Sequence, residues 1–261
     1  MQSPEKTRVE IIYGMTNKAY HATEAIGSHT AVNFGKSALH ATAPPEDPTS
    51  AMEFGSACHK WILEEDDFYD EFAIPTLSLR SNAGKEMKRE LQAQDLVIIS
   101  QPDFDKIQEM KNALNRETKA YLDGREKEVS IFWQDPNGLS RKCRPDSILS
   151  AGDGKVTGVD YKTAADASPE GFKNAIMRYA YDQQAAWYVD GMLAADYDVE
   201  EFVFVVQEKK PPYANMVYKL NWRSIENARE KNDHAMKIIL DYQQTGVAEP
   251  FNGAVVREIE V

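Results

Sequence analysis

"RPDSILSAGDGKVTGVDYKTA", residues 144–164, brings Asp146, a glycine-bearing turn at 151–155, and then Asp160 and Lys162 onto one short piece of chain. On an extended strand, side chains two apart share a face, so Asp160 and Lys162 point one way and Tyr161 the other. The turn folds Asp146, on the preceding strand, back toward that face. Carboxylates placed together repel unless positive charge lies between them. Oxygen donors of this kind suit Mg2+, with Mn2+ able to substitute. A lysine beside such a cation orients or deprotonates an attacking water, or offsets charge building on a phosphate. The same Asp-x-Lys triplet also fits a solvated edge-strand ion pair that contributes little.

Outward from the hairpin, the chain changes period. EVSIFWQ (128–134) alternates with Val129, Ile131 and Trp133 on one side, DPNG (135–138) turns, and LSRKCRPDSIL (139–149) is predicted to return as one strand ahead of VTGVDYKT. A helix is predicted from about 169 to 195, then strands FVFVVQE (202–208) and NMVYKL (215–220), then a closing helix over 222–244. The N-terminal third reads as helices broken by loops. PPEDPTS (44–50) interrupts it, and Ser50 with Glu53 makes a capping box for a helix over 51–65 whose face is Phe54, Ala57, Cys58, Trp61 and Ile62. His59 lies at the edge of that stripe. A further helix is predicted over 103–122. Trp61, Trp133 and Phe132 are expected in the core. The order of elements predicts a single α/β (α+β) domain over 1–261: a mainly helical part (1–125), a core with a mixed central sheet (126–245) and a tail (246–261).

With 261 residues, 42% of them hydrophobic, the chain is long enough to bury a substantial core. Cys58 and Cys143 have no ligand-like spacing, which excludes a disulfide framework or a zinc knuckle and fits a reducing cytoplasm. No apolar run approaches ~20 residues and MQSPEKTRVE lacks an apolar leader core, so a soluble cytoplasmic protein is expected. The formal net charge of −12 disfavours a nucleic-acid partner. Carboxylates gathered to hold cations would relieve that objection, because the cations themselves face phosphates. Arg80, Lys85, Lys88 and Arg89 form a local basic cluster, a solvated helix face or a phosphate-binding patch.

Asp146, the turn and Asp160–Tyr161–Lys162 resemble the PD-(D/E)xK nuclease signature, with Pro145–Asp146 supplying the first dipeptide and fourteen positions between the acids. YDQQAAWY (181–188) sets Gln184 and Tyr188 at i and i+4 and resembles the QxxxY motif of the RecB-like branch. CHKWILE (58–64) resembles the segment in which such nucleases carry a metal-site histidine. Together with AYHATEAIGSHTAVNFGKSALHA, SNAGKEMK and QEKKPPYANMVYKL, these motifs resemble the exonuclease VIII (RecE-type) nuclease domain of phage recombination systems, from about residue 19 to 245.

That resemblance implies a restriction-endonuclease-like core. Its metal site would be made by His59, Asp146, Asp160 and the Tyr161 carbonyl; Lys162, Gln184 and Tyr188 would serve catalysis and the DNA path. It further implies a Mg2+-dependent 5′-to-3′ exonuclease on double-stranded DNA ends that leaves 3′ overhangs, works in a bacterial host beside a single-strand annealing protein, and closes into a homo-oligomeric ring of three or four. The long N-terminal extension of bacterial exonuclease VIII is missing, so a compact enzyme is expected. Arg144 shares a face with Asp146 and either meets a phosphate or neutralises the acids. Glu128 is either a further acid near the site or a surface glutamate. His21, His29, His40 and His234 show no site-like spacing. The alternatives are a single-strand or structure-specific nuclease of the same fold, a helicase-linked nuclease module, and a catalytically silent DNA-binding module.

Overall fold

The computed structural model describes residues 8–45 and 47–251. Residues 1–7 of the segment searched for a leader, Glu46, and 252–261 of the expected tail lie outside the described residues. The N-terminal part runs β1 (Val9–Ile12), α1 (Asn17–Ala22), α2 (Ser28–Lys36), α3 (Ala38–Ala41), α4 (Ser50–Leu63), α5 (Phe68–Glu71), β2 (Phe72–Ala73), α6 (Asn82–Ala93), β3 (Val97–Ile98), α7 (Gln101–Ala113) and α8 (Arg116–Leu122). The core follows with β4 (Glu126–Lys127), β5 (Ser130–Gln134), β6 (Ser140–Cys143), β7 (Ser147–Gly152), β8 (Lys155–Ala164), α9 (Pro169–Tyr179), α10 (Tyr181–Ala194), β9 (Asp198–Glu208), β10 (Asn215–Lys219) and α11 (Trp222–Thr245).

A five-stranded sheet in the order β10-β9-β8-β7-β4 forms the centre. Only β8 and β9 run parallel in it, and the chain reaches one from the other through α9 and α10, the helical crossover that parallel neighbours require. The mixed sheet flanked by helices is therefore as expected. Alternation along its two middle strands divides the interior. Val159, Tyr161, Val203 and Val205 face a core with Trp61, Phe68, Phe104 and Ile107, whereas Phe202, Phe204 and Val206 face another with Phe172, Trp187 and Met192. Each large apolar side chain fully buried in these layers contributes about 1.5–3 kcal/mol relative to exposure. Gly158 and Gly191 let α10 lie close to the strands: a Cβ at Gly158 would come 2.8 Å from Met192 Sδ, and one at Gly191 2.4 Å from Cys143 Sγ. Both cysteines are free and buried.

The strand predicted over 139–149 is two strands in two sheets. β6 joins a three-stranded sheet, β1-β5-β6, while β7 enters the five-stranded one. The break falls at Arg144–Pro145–Asp146, where proline supplies no backbone donor to carry the ladder on. β1, unforeseen in the sequence, pairs with β5 from Val9 opposite Trp133 to Ile12 opposite Ser130. The helix predicted over 169–195 divides at Ala180, which takes a left-handed conformation, φ 56°, ψ 40°. The helix over 103–122 divides into α7 and α8. Thr49, not Ser50, caps α4, its side chain accepting from the Met52 N–H, and with Met52 rather than Glu53 at the third helical position the expected capping box does not form. Trp61 and Trp133 are buried as expected, but Phe132, on the other face of β5, is half-buried against Tyr20.

Candidate active site

Asp146 sits where Pro145 has ended the β6 ladder and β7 has not yet begun. Its backbone stays tied, N–H to the Val159 carbonyl at 3.0 Å and carbonyl to the Glu128 N–H at 3.3 Å. The side chain is thereby aimed across the sheet edge. Oδ2 accepts the Tyr161 N–H at 2.6 Å, and Oδ1 lies 2.8 Å from His59 Nε2. In an extended strand one residue's N–H and C=O lie on the same side, as the exchanged bonds of antiparallel pairs require, so the Tyr161 carbonyl faces this edge too. The Tyr161 ring goes to the opposite layer, where its hydroxyl donates to Gln207 Oε1 at 2.8 Å.

His59 arrives from α4, whose Phe54, Ala57, Cys58 and Trp61 are held in the core. The stripe fixes the helix's rotation and leaves His59 at its edge, partly exposed over a cleft of about 490 Å3. Glu128 arrives by a different device. It lies between β4 and β5 with φ +50°, a left-handed conformation uncommon for residues other than glycine. That kink directs an almost wholly buried carboxylate inward, with Oε1 3.5 Å from His59 Nε2. The surface reading of Glu128 is thus overturned. Donor atoms of His59, Glu128 and Asp146 all lie within 4.8 Å of one another.

Asp160 is adjacent but turned differently. Its Oδ1 accepts from Gln184 Nε2 at 3.1 Å, and its Oδ2 is 2.5 Å from Lys162 Nζ. Gln184 Nε2 also reaches the Tyr188 hydroxyl at 3.1 Å, so the i, i+4 pair on α10 braces Asp160 from behind. Lys162 lies 4.8 Å above the Tyr181 ring, an aromatic contact that the sequence did not single out.

Burial raises the Glu128 carboxyl from 4.5 to about 8, with Asp146 adding to the shift and His59 opposing it. Asp160 rises to about 6, again chiefly through burial, against the pull of Lys162. For His59 burial acts downward, but the charges of Asp146 and Glu128 outweigh it and the imidazole reaches about 10. Burial likewise acts downward on Lys162, and Asp160, Tyr181 and Asp146 together carry it above its ordinary value. Without a cation the cluster therefore retains protons at neutral pH: an imidazolium between carboxylates, a glutamic acid and an ammonium. Glu128 Oε1 is buried without a hydrogen-bond partner, the kind of orphan that a bound ion satisfies. Two carboxylates and an imidazole converging on that point fit a divalent cation.

Arg144 lies beside the acids. It is buried, its Nε and Nη2 donate to Ser130 Oγ at 2.9 and 2.8 Å, Nη2 also reaches the Met15 carbonyl at 2.9 Å, and its guanidinium covers the Tyr20 ring at 4.3 Å. Those engagements make it a clamp between β5, β6 and the N-terminal segment rather than a free phosphate contact. Nη1 is 3.9 Å from Glu128 Oε2, close enough to offset the acids. Arg80, Lys85, Lys88 and Arg89 are exposed on and just before α6, outside the cleft lining. His21, without a signal in its spacing, does line the cleft, and burial together with Lys142 and Arg144 lowers its pKa.

A mixed sheet with a histidine, three carboxylates and a lysine at one edge defines a nuclease-like fold of the restriction-endonuclease type. The profile of the PDDEXK-like domain of unknown function, DUF3799, matches residues 30–253, and the chain belongs to that family. The expected PD-(D/E)xK nuclease domain is thereby supported. Among solved structures, a Eubacterium rectale protein named "Putative exonuclease" is similar over 94% of this chain and 96% of its own, with TM-score 0.63 and 14% identity, a likeness of fold. SSO0001 is similar over 68% of this chain and 84% of its own at 19% identity, but a TM-score of 0.30 is too loose to bear on the fold. No curated protein matches the sequence significantly. Among the described residues no helix is long and apolar enough to cross a membrane.

Proposed function

We propose that this protein is a Mg2+-dependent exodeoxyribonuclease that degrades double-stranded DNA from 5′ ends and leaves 3′ single-stranded overhangs. The observation that carries the catalytic part is the convergence of His59, Glu128 and Asp146 around a buried, unpartnered carboxylate oxygen, with the Asp160–Lys162 pair alongside. His59, Glu128 and Asp146 would hold the cation, joined by Asp160 and the Tyr161 carbonyl. Such a cation, when bound, supplies Lewis acidity toward a phosphodiester and toward water.

The remaining work belongs to the side chains. Lys162, held as an ammonium by Asp160, favours orienting a nucleophile and balancing phosphate charge over acting as the base. Gln184 and Tyr188 fix Asp160, a positioning role one layer behind the metal ligands. The name of the Eubacterium rectale protein favours an exonuclease. Polarity, the annealing partner and a ring of three or four subunits rest on the motif resemblance to exonuclease VIII.

Digestion of a linear duplex labelled at the 5′ or the 3′ end, in Mg2+ or EDTA, with wild type beside Lys162→Ala, tests this. Early Mg2+-dependent release of the 5′ label, lost in the variant, is expected. Early release of the 3′ label would reverse the polarity, and no digestion of duplex or single strand would remove the nuclease reading.

A further inference from the structure

A second cleft, of about 820 Å3, opens beside the α9–α10 break and is lined by residues of α2, α9, α10 and α11. The left-handed Ala180 turns the chain there and leaves Met177 and Tyr179 at 74% and 56% exposure, unusual for large apolar side chains on one short corner. The cleft is electropositive in a chain of net charge −12. Lys36 and Arg178 line it without an ion pair among the described residues; Lys231, paired with Asp182, and two histidines add to them, against Glu230 alone.

This cleft is coupled to the candidate active site through rings. Lys162 Nζ is 4.8 Å from the Tyr181 centroid, Tyr181 is 5.6 Å from Tyr179, and the Arg178 guanidinium is 5.4 Å from the Tyr179 ring. With about 3.4 Å per nucleotide along a strand, a strand passing Lys162 would reach Tyr179 within a few nucleotides. An exposed ring flanked by unpaired cations is the chemistry that holds single-stranded nucleic acid, because only unpaired bases offer a free face for stacking.

We propose that this cleft binds single-stranded DNA continuous with the strand in the active site, with a base stacked on Tyr179 and phosphates met by Arg178 and Lys36. The proposal rests on the nuclease reading above and assigns the site a path for one separated strand.

Fluorescence anisotropy of a labelled oligodeoxythymidylate and of a blunt duplex, both in EDTA to prevent cleavage, measures it. Tyr179→Ala is expected to weaken single-strand binding about ten-fold, with Tyr179→Phe close to wild type and the duplex less affected. The double variant Lys36→Glu, Arg178→Glu, which removes two phosphate contacts, is expected to lower the salt slope of single-strand binding by about 1.4. These side chains are exposed, so folding is not at stake. Wild-type affinity in all variants, while wild type still cleaves in Mg2+, would overturn the cleft assignment alone. An equal loss on both probes would overturn the single-strand preference. A wild type that neither binds nor cleaves DNA would overturn the nuclease reading and the cleft together.

Discussion

The hairpins β5–β6 and β7–β8 both bury acids beside bases, yet they leave those charges in opposite states. At the first turn Asp135 is satisfied: Oδ1 accepts the N–H groups of Asn137 and Leu139, both at 2.9 Å, and Oδ2 meets Arg141 Nη2 at 3.1 Å. Arg141 in turn rests 4.9 Å over the Trp187 ring. At the second hairpin three carboxylates crowd one histidine and one lysine, two of them rise toward neutral pH, and a glutamate oxygen lacks a hydrogen bond. A buried carboxylate whose two oxygens are both satisfied, as those of Asp135 are, acts as structure. One left under-satisfied at a cleft is prepared for a ligand, and perturbed titration is its sign.

Lys162→Ala should break that comparison most visibly. Cleavage of duplex DNA falls about a hundred-fold or more in steady-state assays, while the metal-free protein stays folded, because Asp160, already raised to about 6, takes up a proton when its ammonium partner is gone. Near wild-type turnover would reduce Lys162 to a structural ion-pair partner of Asp160. At the other hairpin the pattern reverses. Asp135→Ala strands a largely buried Arg141 and should lower stability by about 3–5 kcal/mol in urea denaturation, with activity per folded molecule retained.

Gln184→Ala probes the brace behind Asp160. A loss of about 10- to 100-fold in metal affinity or turnover is expected, and Tyr188→Phe less, because the tyrosine hydroxyl reaches Asp160 only through Gln184. Unchanged metal affinity and turnover in Gln184→Ala would place that pair outside the site's support.

The smallest effect is a pH signature. Glu128 and His59 both titrate higher in the folded chain than their ordinary 4.5 and 6.5, so the native state holds protons that the unfolded state has released. Their contribution is complete below those ordinary values and fades as pH rises through about 8 and then about 10. Metal-free protein should therefore lose melting temperature between about pH 6 and about pH 9, at roughly 2–4 °C per kcal/mol. Glu128→Gln should flatten the slope, and excess Mg2+ should reverse it, since binding expels those protons. Calorimetric titration in two buffers of different ionisation enthalpy counts them; zero proton release would mean that the cation binds elsewhere.

Much of this was legible in the chain. Alternation at Val129, Ile131 and Trp133, and the two-residue spacing of Asp160 and Lys162, depend only on local geometry and read correctly. Pro145 announced its break as well, although its consequence, strands in two sheets, was not drawn from it. Glu128 stayed divided between a site acid and a surface glutamate because its place depends on a left-handed backbone between β4 and β5, and no residue type there demands one. Arg144 was left between a phosphate contact and charge balance because two of its partners, the Met15 carbonyl and the Tyr20 ring, lie far away in sequence. His21 lacked a signal for the same reason, since its place in the cleft comes from the path of α1 over the core.

By itself, the sequence determined the periodicities, the placing of an acid and a lysine on one strand face, and the helix stripe that leaves His59 at its edge. These follow from backbone geometry and the burial of nearby apolar side chains. Tertiary structure alone decided which carboxylates converge. Asp146 and Glu128 meet His59 while Asp160 turns to Lys162 and Gln184, because that choice is made by hydrogen bonds and desolvation among residues up to 87 positions apart, which become neighbours only once the sheet has closed between its two helical layers.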